Sequence, residues 1–186
     1  MDSETLMLVV MGVAVLLLVL AAWAYTSRRR RLNLRERFGP EYGRTVEAVG
    51  PTRVDSVLRE RVERVGRFNL RRLTQDQADA FVREWRRIQA RFVDNPDGAV
   101  GEADQLVTQV MAARGYPVED FDQRADDLSV DHPVVVQNYR TARALALRRQ
   151  RREAGTEEMR QAVVNYRALF DELLEVDRPG AHRRAS

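Results

Sequence analysis

No cysteine and no lysine occur among these 186 residues, and only two histidines do, His132 and His182. Without cysteine there are no disulfides, no zinc thiolate sites and no thiol nucleophile. Without lysine, all 31 basic residues are arginine. Together with abundant Ala and Val and a single isoleucine, Ile88, this points to a GC-rich, bacterial coding sequence. That is a statement about codon usage, not mechanism. Glycine-rich phosphate loops and metal-ligand motifs are missing, so the sequence calls for no cofactor and no metal. The alternation of β-branched and polar residues that marks strands is missing too.

The basic excess is also absent from most of the chain. The calculated pI of 9.8 resembles that of a nucleic-acid binder. Yet 27 of the 31 arginines and 26 of the 28 acids lie from Leu32 onward, so the body is nearly neutral. The surplus is Arg28, Arg29, Arg30 and Arg31.

These four arginines follow an unbroken apolar run, Leu6 to Tyr25. Twenty residues at about 1.5 Å each make a helix of roughly 30 Å, the thickness of a bilayer core. The run includes Leu6, Leu17 and Leu20, and Trp23 and Tyr25 stand at its end, where aromatic rings favour the headgroup layer. Ala22-Trp23-Ala24 imitates a signal-peptidase site, and export after cleavage near Ala24 is the alternative. Against it, the N-terminal flank MDSET is acidic, the apolar core is long, and arginines follow the cut. Basic residues beside a membrane helix stay in the cytoplasm. The expected topology is a single-pass cell-membrane protein with its N-terminus outside and its C-terminal domain cytoplasmic. Arg28 to Arg31 set that orientation and meet anionic lipid. Gly12 is the only glycine in the run, so no GxxxG pairing motif is available.

The remainder reads as all-α. The expected organisation is an anchor over 1–27, a basic juxtamembrane segment and charged helical stalk over 28–73, a bundle of about five helices over 74–175, and a disordered tail over 176–186. Gly39-Pro40 and Gly50-Pro51 break the first helices. The stalk reads as exposed, with one narrow stripe of Val54, Leu58, Val62 and Val65. Two turns fall short of the heptads that define a coiled coil. Thr74-x-x-Gln77 is a capping box. It opens a helix with Ala78, Phe81, Val82, Trp85, Ile88 and Phe92 on one face. Asn95-Pro96 caps the next helix, which ends at Gly115. A short helix follows Tyr116-Pro117, Asp131 is the expected N-cap of another, and Thr156 caps the last. Five amphipathic helices with short turns are most simply buried as a bundle.

The segments RERFGPEYGRTVE (35–47), the stretch 90–140 from ARFVDNPDGAVGEADQ to DHPVVVQNYR, and AVVNYRALFDELL (162–174) resemble an uncharacterised bacterial family of single-span membrane proteins, often labelled secreted. The resemblance implies one N-terminal span, a charged helix and a C-terminal helical domain. It carries no catalytic residue, and the family's charged helix is more continuous than Gly50-Pro51 allows.

Candidate chemistry is sparse. Asp126, Asp127, Asp131 and His132 form a polar group that could hold a cation. It lacks the spaced oxygen ligands and glycine turn of a calcium loop, and the blander reading makes Asp131 a cap and His132 a boundary residue. Glu102, Asp104, Glu119, Asp120 and Asp122 read as solvated helix faces. Arg148, Arg149, Arg151 and Arg152 read as a helix-end cluster, since interleaved aromatics and a nucleic-acid reading motif are absent. The expected function is a membrane-tethered helical interaction or scaffold module whose partners are the bilayer and another protein. An anchored hydrolase with a scattered site and a nucleic-acid tether are the competing readings.

Overall fold

The computed structural model describes residues 32–151 and 155–174, with Met11, Leu16, Leu18, Ala22 and Tyr25. Among the described residues there are helices and no strands, and no helix is long and apolar enough to cross a membrane. Most of the apolar run, Arg28 to Arg31, and the tail after Leu174 lie outside the described residues. Contacts divide the chain into two compact units, Met1–Asp55 and Ser56–Ser186.

In the first unit, residues 32–38 are helical and lead to Gly39. Gly39 has φ +47° and Pro40 takes the first position of α1 (Pro40–Val49). The expected break is therefore a one-residue interruption at which proline opens a new helix, its missing N–H costing nothing there. Gly50, at φ +84°, closes α1. The Tyr42 hydroxyl donates to Asp55 Oδ1 at 3.2 Å, and the Arg35 guanidinium lies 5.1 Å from the Tyr42 ring centroid.

α2 (Val54–Val65) starts beyond Pro51. The sequence stripe is real, with Val54, Leu58 and Val65 buried. The expectation of a charged, exposed stalk is corrected, because Arg61 is buried as well, at 7% exposure. The reason is electrostatic and concerns the second unit alone, where Arg61 and Arg64 meet carboxylates of a later helix.

The second unit holds five further helices, α3 (Gln75–Arg91), α4 (Pro96–Arg114), α5 (Phe121–Asp131), α6 (Val135–Gln150) and α7 (Thr156–Leu173). The Thr74 hydroxyl accepts from Gln77 N, and Gln77 Oε1 accepts from Thr74 N, so the capping box at α3 is complete. At α4 the Asn95 side chain accepts from Gly98 N, with Pro96 at the first position. Gly115 ends α4 in the left-handed region at φ +92°. A Cβ there would come within 2.5 Å of the Asn69 carbonyl oxygen. Glycine is required by both conformation and close approach. The linker that crosses it is strapped to α4: Arg71 N donates to Arg114 O at 2.9 Å and Arg71 Nε to Ala113 O at 2.8 Å.

Two caps differ from expectation. Asp131 does not open α6. It is the last residue of α5, because His132 N still donates to Leu128 O and continues that helix. α6 begins without a side-chain cap, after Val134. Thr156 is the first residue of α7 rather than its cap, and Glu158 reaches back to accept from Gly155 N.

α7 is the hub of the bundle. It packs along α6 and along α4, while α3 packs on α4 and α5 leans on α6. Trp85 of α3 is fully buried and stacks on Phe170 at 4.8 Å between centroids. Tyr139 of α6 meets Phe121 at 4.7 Å and Tyr166 of α7 at 6.1 Å. Each fully buried large apolar side chain contributes about 1.5–3 kcal/mol relative to exposure, so this aromatic seam fixes how α3, α6 and α7 meet.

Candidate functional site

The polar group read from the sequence lies on one turn and a half of helix, and its members face different neighbours. Asp126 is held by Arg61 at 2.9 Å and by Arg140 at 3.0 Å. Asp127, with its side chain 1% exposed, accepts from Arg64 Nε at 2.8 Å and from Gln123 Nε2 at 3.0 Å. Arg61 also reaches Ser129 Oγ at 3.3 Å. Asp131 Oδ2 accepts from the Tyr116 hydroxyl at 3.3 Å. His132 Nδ1 lies 3.2 Å from Glu172 Oε1 of α7. The four residues therefore do not converge on one point. Among the described residues no three His, Asp or Glu side chains are grouped to hold a metal ion. What they build is a joint: α5 is riveted to α2 and α6 by charge-assisted bonds, the stronger kind of hydrogen bond. Burial, and then the Asp131 charge beside it, push the Tyr116 phenol above its ordinary pKa.

A second polar region lies where α4, α6 and α7 meet. A cavity of about 210 Å³ is lined by Asp97, Val100, Gly101 and Asp104 of α4, by Arg143, Ala146 and Arg149 of α6, and by Met159 and Tyr166 of α7. The spacing explains the gathering. On α4, positions 97, 100, 101 and 104 recur every three or four residues and share one face. Arg149 closes one end by gripping Asp97 twice, at 2.7 and 3.1 Å. Asp104 is held more loosely, since its Oδ2 is 3.6 Å from Arg143. Its Oδ1 is buried with no hydrogen-bond partner.

Two phenols stand beside this carboxylate. The Tyr166 and Tyr139 hydroxyls are buried, that of Tyr166 facing the Asp104 carboxylate and that of Tyr139 facing Thr108, both at the edge of hydrogen-bonding reach. Burial, then the Asp104 charge, raise both pKa values, that of Tyr139 to about 12. Both phenols are thus within electrostatic reach of the carboxylate, and Tyr166 is the one placed to donate to it. Buried polar atoms are almost always paired, so Asp104 Oδ1, with only the Tyr166 phenol at hand, is a weakly satisfied acceptor here, as Asp127 Oδ2 is at the α2–α5 joint. Asp104 read in sequence as a solvated carboxylate, yet its side chain is 19% exposed. The signal that could have found it is its position, one turn from both Val100 and Val107 on the apolar face of α4.

The other candidates fall elsewhere. Tyr25 is helical and exposed, whereas Leu6, Leu17, Leu20, Trp23 and Arg28 to Arg31 are outside the described residues. Within the basic cluster, Arg148 pairs with Glu158 at 3.0 Å and Arg149 with Asp97. Asp120 caps α5, accepting from Gln123 N at 3.0 Å, and Glu102 pairs with Arg91. No protein-family model, no curated protein and no solved structure matches this chain.

Proposed function

We propose that this chain is a helical interaction module tethered to the cytoplasmic face of the cell membrane, with the bilayer and another protein as its partners. The observation that carries the reading is the apolar run Leu6–Tyr25 followed at once by four arginines, with none before it. Such an arrangement fits a single span whose basic end stays inside. The arginine clamps on Asp126 and Asp127 favour a structural use of those acids, which weakens the case for a scattered hydrolase site there. The near-neutral body and the pairing of Arg148 and Arg149 weaken the case for a nucleic-acid face.

Protease added to intact cells expressing the protein tests the topology. Residues 74–175 should survive until the membrane is opened. Digestion in intact cells, or a mature chain that starts near Tyr25, would overturn the tethered cytoplasmic reading.

A further inference from the structure

Gly101 sits in the second turn of α4 without a steric reason to be glycine. Its backbone is ordinary helix, and a Cβ built on it meets nothing within 4 Å. A glycine inside a helix costs roughly 0.5–1 kcal/mol relative to alanine. What Gly101 does is leave the wall of the α4–α6–α7 cavity open. The chemistry of that cavity is equally particular. Asp97 and Asp104 balance Arg143 and Arg149, so the lining carries no net charge. Asp104 Oδ1 is a buried acceptor with only the Tyr166 phenol near it, which leaves room for a second donor. Arg143, held at 3.6 Å from Asp104, is well beyond the roughly 2.7–2.9 Å of a charge-assisted bond, so its donors remain open to a second anion. Val100 and Met159 supply an apolar wall.

We propose that this cavity is a binding site for a small zwitterion, a free α-amino acid with a compact aliphatic side chain. The ligand's ammonium group donates to Asp104, its carboxylate accepts from Arg143, and its side chain lies on Val100 and Met159. A dry cavity of about 150 Å³ is enough for benzene, so the 210 Å³ here suits a molecule of that size bearing two polar ends. A charged ligand of one sign would leave one pair of the lining unanswered, which is the physical basis for preferring a neutral one. The site is independent of the tether and adds a small-molecule input to the module.

The test uses the full-length protein in lipid nanodiscs, melted with and without about 10 mM L-leucine, leucinamide or 4-methylpentanoate. Leucine should raise Tm by about 2–4 °C, the scale expected of a ligand in excess over its Kd. Leucinamide lacks the carboxylate and 4-methylpentanoate the ammonium, so neither should match it. Gly101→Leu should fill the cavity, keep the helical circular dichroism and abolish the shift. Asp104→Asn should abolish it too, which keeps the test decisive if the leucine variant folds poorly. No shift with leucine, an equal shift with either truncated probe, or a shift that survives in both variants would overturn the proposal. The first of these outcomes would mean that buried water alone satisfies Asp104 and Tyr166.

Discussion

Asp127 and Asp104 invite comparison, for each is an aspartate sunk into the same helical unit beside arginine. Around Asp127, Arg64 and Gln123 close in at 2.8 and 3.0 Å, with the side chain 1% exposed. Around Asp104, the arginine stands off at 3.6 Å and Gly101, on the same helix, leaves space that a side chain would fill, while each aspartate keeps one buried oxygen without a hydrogen-bond partner, Oδ2 of Asp127 and Oδ1 of Asp104. The first arrangement is a tight ion pair, the second a loose one beside open space. A buried charge is tolerated where its partners are close, so what separates the two aspartates is how near the arginine stands.

The sharpest way to break this contrast is to remove one arginine from each region. Removing one partner of a buried ion pair costs about 3–5 kcal/mol. Arg64 is 27% exposed, so Arg64→Ala should fall at the low end, about 3 kcal/mol. Arg143→Ala should cost about 1 kcal/mol or less, because its pair is loose and part-exposed, even though it also lies over the Phe121 ring at 5.4 Å. Chemical denaturation of the two variants checks the order. Equal losses would erase the distinction between the two sites.

Alkaline titration gives the next largest effect. Tyr139 is raised from 10.0 to about 12, and Tyr116 and Tyr166 are raised as well. The neutral phenol is favoured in the folded state, so that stability is fully present below pH 10 and is lost as pH rises through about 12. Denaturant midpoints should therefore fall across that interval. Tyr139→Phe should flatten the fall by removing one of the three ionisations. A pH-independent midpoint from 10 to 12 would mean that water reaches the phenols in the native state.

The smallest expected effect lies at Gly101. Gly101→Ala should stabilise by about 0.5–1 kcal/mol, since no packing demands the glycine. A destabilised variant would show that the helix needs its freedom at that point after all.

Much of the fold was legible because its signals are local. The Thr74–Gln77 box, the Asn95-Pro96 start and the Gly115 stop depend on residues within one turn of each other, and they stand where the pattern placed them. Asp131 misled for the same reason. An acid two residues before proline resembles a cap, but the Leu128 carbonyl continues α5 past it and the carboxylate turns to Tyr116. The arginines of α2 were opaque for the opposite reason. Arg61 and Arg64 look solvent-facing within their own helix, and their partners Asp126 and Asp127 are more than sixty residues away. The cavity was hidden likewise, because Gly101, Arg143 and Tyr166 acquire a common meaning only once three helices meet.

The strap over Gly115 carries a consequence for folding order. Its two hydrogen bonds join Arg71 to the end of α4, so they close a loop that contains all of α3. Closing that loop costs entropy that two hydrogen bonds alone do not offset, so the strap is expected to follow the docking of α3 on α4. The strap is therefore predicted to be a late fastening, which a φ-value near zero for Gly115→Ala would bear out. Interactions made after the transition state slow unfolding far more than they speed folding, and a glycine that makes such a fastening possible acts mainly on the lifetime of the native bundle.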